Sequence, residues 1–284
     1  MFLQFLSNGI LIGCSYTLVA LGLTLIFSIL NVVNFAHGEI YMLGAYATFY
    51  IVAMLGVNYY VALIISMVVI GLIGILIEKM AFRPLYGKPE INMFLVSIGL
   101  TLFLRYLMMI IAGTEPKHLE TPLSERTISF AGVYITYERL LIIILSVIII
   151  VALHLFIYKT RLGRAIRAVS QNSYASGVVG INKNMISSLT FGLGCLLAAA
   201  SGSLLGPLYL VSPEMGEVPV VKAFTIIILG GLGNIVGCIV GGFILGISES
   251  LAGGYFLYEY KDAICFAILI LVLSLKPSGL FAKG

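Results

Sequence analysis

Arg139-Leu140-Leu141-Ile142-Ile143-Ile144-Leu145-Ser146-Val147-Ile148-Ile149-Ile150-Val151-Ala152-Leu153-His154-Leu155-Phe156-Ile157-Tyr158 is followed at once by Lys159-Thr160-Arg161-Leu162-Gly163-Arg164-Ala165-Ile166-Arg167-Ala168. The first stretch is apolar on every side of a helix. At 1.5 Å per residue it matches the hydrocarbon thickness of a bilayer, about 30 Å. The second is basic. From 159 to 184 the chain carries Lys159, Arg161, Arg164, Arg167 and Lys183 and no acid. Excess Lys and Arg mark the cytoplasmic side of a membrane protein, so the junction at Lys159 gives both a span and its direction.

Outward from that junction the pattern repeats. Apolar runs of spanning length lie at about 4–30, 38–56, 59–77, 92–112, 139–158, 185–210, 222–250 and 262–276. Of the 284 residues 61% are hydrophobic and 10% charged, and mean hydropathy is +1.13. Soluble domains carry about 25% charged residues, so this chain could not cover its surface in water. The fold class is therefore all-α: a polytopic transmembrane helical bundle of about eight hydrophobic segments, in one domain over 1–284. The start of the chain has no basic region and no cleavage site, which predicts a retained span rather than a signal peptide. Cys14, Cys195, Cys238 and Cys265 all sit in apolar runs and read as packing residues, with neither a disulfide nor a metal site. The net charge of +4 reflects where the bases lie and does not indicate nucleic-acid binding.

The loop 78–91, with Lys79, Arg83 and Lys88, and the tail, with Lys276 and Lys283, join 159–184 on the cytoplasmic side. The loop 113–138 holds Glu115, Glu120, Glu125 and Glu138 against Lys117 and Arg126 and faces outward. Counting crossings from 159–184 then leaves the tail outside unless 222–250 enters and returns. Its middle, Gly230-Gly231-Leu232-Gly233-Asn234, is where a helix would break. Two short, broken helices are expected there, with 251–262 (Glu259, Asp262) outside. Irregular backbone survives at membrane depth only against protein or a wet cavity. The run 4–30 suits a tilted single span or a broken one equally. With no tryptophan, the interfacial belt falls to tyrosines such as Tyr59, Tyr60, Tyr134, Tyr137, Tyr255, Tyr258 and Tyr260. Asn34–Tyr46 and Asn234–Gly246 echo one another weakly, each a break followed by a small-residue helix.

Three constellations stand out. Asn34-Phe35-Ala36-His37-Gly38-Glu39 is either a cytoplasmic turn with a helix cap or a broken helix lining a path; His and Glu are costly in lipid without a partner or water. Gly230, Gly231, Gly233, Gly237, Gly241 and Gly242 permit close helix contact and lack the GK[ST] of a phosphate loop. Arg161, Arg164 and Arg167 recur every three residues, with Gly163 and Ala168 among them and Gly180-Ile181 beyond. That stripe suits either a lipid-facing topology determinant or a docking helix for a cytoplasmic partner. Intramembrane Arg105 and Glu249 should face the bundle interior, Arg105 pairing with Glu39 or Glu249. Catalytic sets are missing from the sequence: His37, His118 and His154 are the only histidines and no nucleophile–base pattern accompanies them.

In this order the motifs resemble the permease subunits of branched-chain amino-acid ABC importers, specifically the LivH-like half. The likeness covers nearly the whole chain: Gly22–Phe27, Asn34–Glu39 and Leu43–Tyr46; Arg83-Pro84-Leu85; Thr160–Ala168 with Gly180-Ile181; Lys222-Ala223-Phe224, Gly230–Gly233, Gly241-Gly242 and Glu249; and Lys276–Phe281. The resemblance implies a docking role for Arg161, Gly163, Arg164, Arg167, Ala168, Gly180 and Ile181 within the cytoplasmic segment 159–184. It implies a functional break at Asn34, His37, Gly38 and Glu39, with Gly230, Gly231, Gly233 and Glu249 near the solute path. Gln171-Asn172-Ser173 departs from the family, which usually carries an acid there. The implied partners are a second homologous permease, two cytoplasmic ABC ATPase subunits, an extracytoplasmic substrate-binding protein and membrane lipid. Cofactors are expected only at those ATPases, as ATP, and the implied location is the cytoplasmic membrane of a bacterium or archaeon. The implied solutes are leucine, isoleucine and valine, or related amino acids and amides. The rival reading is a stand-alone secondary transporter or channel, for which only Glu39 and Glu249 offer midplane carboxylates.

Overall fold

The computed structural model describes residues 1–119, 121, 127–130, 133–255 and 261–281. Eleven α-helices account for most of it: α1 (Phe2–Leu30), α2 (His37–Leu55), α3 (Tyr59–Ile77), α4 (Glu90–Ala112), α5 (Tyr137–Lys159), α6 (Arg161–Gln171), α7 (Ser173–Val178), α8 (Lys183–Leu205), α9 (Glu217–Gly230), α10 (Ile235–Tyr255) and α11 (Lys261–Leu275). A two-stranded antiparallel hairpin, β1 (Thr127–Phe130) and β2 (Val133–Thr136), precedes α5; hydropathy gives no sign of it. Seven helical stretches are long and apolar enough to cross a membrane, and α11 is a shorter apolar helix. The chain is a polytopic helical bundle.

Small residues set which helices touch. α1 and α8 form the centre and are largely buried. A Cβ on Gly9 would lie 2.7 Å from Ile247 Cα, and one on Gly22 would lie 2.5 Å from the Gly194 carbonyl. Such approaches bring helix backbones together and give dispersion contact along their length, which is what drives association in lipid. Hydroxyls complete the centre: Ser201 donates to the Ser15 carbonyl (2.9 Å), Ser66 to the Gly44 carbonyl (2.8 Å) and Thr48 to Ser203 Oγ (2.8 Å). By contrast α3, α4 and α5 turn rows such as Ile64, Val68 and Leu72, or Ile144, Ile148 and Leu155, outward. Outward apolar rows suit lipid.

The two ends of the bundle are distinct. At one end Gln4 bonds the backbone of Tyr134 and Asn8 accepts from Arg139 (3.0 Å), joining the start of α1 to the hairpin and α5. At the other, basic end, Arg83 meets Glu78 at 2.7 Å, and Ser188 (2.7 Å) and the Tyr86 phenol (2.8 Å) donate to the same carboxylate. Burial, and then the bond to Glu78, push the Tyr86 phenol above its ordinary range, so it stays a donor.

α1 is one unbroken helix, which decides between the two readings of 4–30. The break in 222–250 is where the glycines are. Gly231 has φ 98 and ψ 126, a conformation reserved for glycine, and Asn234 then caps α10 by accepting from Gly237 N–H (3.0 Å). α9 and α10 run antiparallel, Gly230 against Gly237 and Ile226 against Gly241. The chain thus enters and returns across this stretch. One detail is corrected: only α9 is short, at 14 residues, whereas α10 has 21 and is long enough to span. Tail backbone bonds, Leu280 N–H to the Leu229 carbonyl and Phe281 N–H to the Gly230 carbonyl, bring 280–281 to the break. Residues Tyr258, Glu259, Tyr260, Glu120, Glu125, Arg126 and Lys283, invoked above for loops and tail, lie outside the described residues.

Candidate functional site

Asn34–Glu39 is no surface turn. Asn31, in the left-handed conformation, ends α1 at the basic end, and 31–36 then turns back along that helix. Asn34 Oδ1 accepts from Ala36 N–H (3.2 Å), and α2 begins at His37 deep in the bundle. His37 Nε2 donates to the carbonyl of Val19, in the middle of α1, at 3.1 Å. Asn34, His37 and Glu39 are all buried. The segment is therefore an interior helix break and not a surface turn. α9 starts beside α2: a Cβ on Gly38 would lie 2.5 Å from the Gly216 carbonyl. Two helix N-termini thus meet inside the bundle, where only glycines let the backbones so close.

Charges gather around these starts. Arg105 of α4 pairs with Glu39 at 2.7 Å and also with Glu217, the first residue of α9. Glu39 was one of the two partners expected for Arg105; Glu249 was the other and is not one. Glu249 of α10 instead meets Lys222 of α9 at 3.2 Å, both buried, with the Tyr16 hydroxyl 3.5 Å from Glu249 Oε1. Glu217 was missed because it stands in a linker-like stretch, Ser212–Pro219, that reads as loop. Its signal is the acid at a helix start, which favours the first turn.

Glu249, Tyr16 and Arg139 border a cavity of about 840 Å³ near the hairpin end, between α1, α10, the start of α9 and the connection after α8. Leu11, Ile12, Leu208, Met215 and Val218 make its walls apolar, and Ser15, Tyr41, Tyr209 and Ser212 add hydroxyls. An apolar chamber with a few polar groups suits a small solute with a greasy side chain and a polar head. Of the residues singled out by sequence, only Glu249 lines it. Asn34, His37, Gly38 and Glu39 position α2 behind it. Gly230, Gly231 and Gly233 lie at the far, basic end of α9, where they break the helix and let α10 pack against it. The missed lining of α1, with Phe5, Asn8, Ile12, Ser15 and Tyr16 on one helical face, was hidden inside an apolar run. Polar residues recurring at 8, 15 and 16 are the signal that points to it.

At the basic end Thr160 caps α6, accepting from Gly163 N–H (3.0 Å), and turns the chain sharply after α5. Gly163, Ile166 and Val169 face inward; Arg161 and Arg164 face out. One assignment is corrected here. Gly163 is not on the outward face, because its Cβ would run into the carbonyls of Phe156 and Ile157 within the same chain. Arg167 is half-buried over the Tyr158 ring, 4.8 Å from its centroid, and Ala168 is half-buried. Beyond them Tyr174 (85% exposed), Val178 and Val179 project from α7, and Gly180, at φ 83, lets Ile181 N–H return to the Ser176 carbonyl (3.0 Å).

Comparison with known proteins bears on both regions. Residues 5–273 match the family model described as branched-chain amino acid transport system / permease component. The chain is 37% identical to the high-affinity branched-chain amino acid transport system permease protein BraD of Pseudomonas aeruginosa, over 99% of this chain and 96% of BraD. It is 35% identical to the corresponding permease protein LivH of Escherichia coli, again over 99% and 96%. Among solved structures, PsaBC from Streptococcus pneumoniae in complex with Fab matches with TM-score 0.54 and 11% identity, over 97% of this chain and 93% of that one; it speaks to the fold.

Proposed function

Since the chain belongs to the family of branched-chain amino acid transport system permease components, we propose that it forms one half of the pathway of an ATP-driven importer of leucine, isoleucine and valine or related small amino acids and amides. It is a permease subunit and a multi-pass protein of the cytoplasmic membrane. A second, related permease completes the pathway. Two cytoplasmic ATPase subunits hydrolyse ATP, and an extracytoplasmic binding protein delivers the solute. The cavity bordered by Tyr16 and Glu249 is this half's share of the path on the receiving side. Rocking of the two halves, this one pivoting on crossings such as Gly38–Gly216, alternates access.

The observation that carries this reading is the α6–α7 corner. It sits outside the spans at the basic end, and it exposes Tyr174, Val178 and Val179 from the α7 region and Arg161 and Arg164 from the start of α6. Exposed apolar side chains on a corner held by an inward row of Gly163, Ile166 and Val169 are built to be covered. The occupant proposed is a groove on the ATPase. In the reconstituted complex, Tyr174→Glu with Val178→Glu should leave insertion intact and cut solute-stimulated ATP hydrolysis roughly tenfold, as loss of apolar anchors does at interfaces. Full stimulation, together with strong dependence on anionic lipid, would return the segment to a topology role.

A further inference from the structure

We propose that the face formed by α4, the start of α2 and the start of α9, around Arg105 and Glu217, is the seam against the second permease. This rests on the two-halves reading above and adds where the halves meet. Arg105 lies about two turns, roughly 10 Å, from Ala112 at the end of α4, and apolar helix continues on both sides of it. Its depth is therefore within the hydrocarbon. Glu217 nevertheless leaves 55% of its side chain exposed, and Arg105 leaves 18%. Two carboxylates share one guanidinium, so the cluster of Glu39, Arg105 and Glu217 carries an excess negative charge. Oε2 of Glu39 is buried and has no hydrogen-bond partner among the described residues.

A half-exposed ionised group at that depth is costly against lipid and is tolerated when it faces protein or water. The lipid-suited faces of α3 and α5, with Leu72 and Ile148, carry nothing comparable among the described residues. Toward the basic end Phe35, just before α2, packs on both Phe94 of α4 and Phe224 of α9, tying the two helices to the start of α2. The first turn of α9 also ties the face to the cavity, since Val218 and Pro219 line the chamber and Glu217 points to the seam. A transmembrane helix of the second permease that supplies a basic side chain or hydrogen-bond donor would cover this face and meet the surplus charge.

Photo-crosslinking in the intact, co-expressed complex tests this. A benzophenone amino acid is placed at Leu102 or Val221, exposed positions one turn from Arg105 and Glu217, and at Leu72 or Ile148 as comparison. Adducts with the second permease should form from Leu102 and Val221 and not from Leu72 and Ile148. Glu217→Gln should reduce co-purification of the second permease about tenfold or more. If the second permease co-purifies but its adducts come from Leu72 or Ile148, the seam is elsewhere and the two-halves reading survives. Adducts with another copy of this chain would overturn the choice of occupant. If no second permease co-purifies with the wild-type chain, the two-halves reading falls, and the seam with it.

Discussion

At the scale of single residues, buried ionised groups join helices that are far apart in the chain, Glu39 of α2 to Arg105 of α4 and Lys222 of α9 to Glu249 of α10. Lys222 and Glu249 hold α9 to α10 beside the cavity, both nearly fully buried. Removing one partner of a buried ion pair costs more than replacing both. Lys222→Met or Glu249→Gln alone should each destabilise by about 3–5 kcal/mol, and the double variant by less than their sum. Thermal unfolding in detergent measures this, and additive losses would show that the two side chains do not act as a pair. Glycines are the other critical residues. A Cβ on Gly202 would collide with the Tyr41 carbonyl, so Gly202→Leu should remove folded protein from the membrane, whereas Gly99→Leu, with open space around it, should not. Expression followed by gel filtration separates those outcomes. Sequence reading located the costly residues, because His, Glu and Arg in apolar runs are rare. It narrowed the partner of Arg105 to Glu39 or Glu249 and could not choose, and it missed Glu217, because such pairings cross large sequence separations that one sequence does not encode.

At the scale of elements, what could be read was where helices stop. Gly230–Asn234 breaks α9 from α10, as crossings and glycine content required, and the break is stabilised by Asn234 donating to the Phe281 carbonyl at 2.6 Å. Gly231→Leu should strain φ 98 and impair uptake while insertion persists; wild-type uptake at normal expression would defeat the assignment. Asn34–Glu39 was ambiguous because a cap motif looks the same at a surface turn and at an interior helix start. Only the return of 31–36 along α1 distinguishes them. The basic stripe was legible as an element and misread in one detail. Glycine in a docking helix suggests close approach to a partner, but Gly163 approaches its own α5. Gly163→Ala should therefore lower the yield of folded permease, and Arg164→Ala should leave yield intact and lower stimulated ATP hydrolysis. Equal yields for the two variants would contradict the corner geometry.

At the scale of the whole molecule, apolar length was enough for class, because the bilayer imposes it. The cavity was not legible. Its walls come from α1, α8, α9 and α10, and packing rather than local pattern assembles them. The chamber near the hairpin end, the broken helices behind it and the exposed α6–α7 corner at the opposite end are the features on which the importer reading proposed above rests. Uptake by proteoliposomes tests that directly. With the second permease, both ATPases and the binding protein present, labelled leucine should accumulate only when ATP is available, and the chain alone should accumulate none. Accumulation by this chain by itself, driven by an ion gradient and indifferent to ATP, would contradict the account.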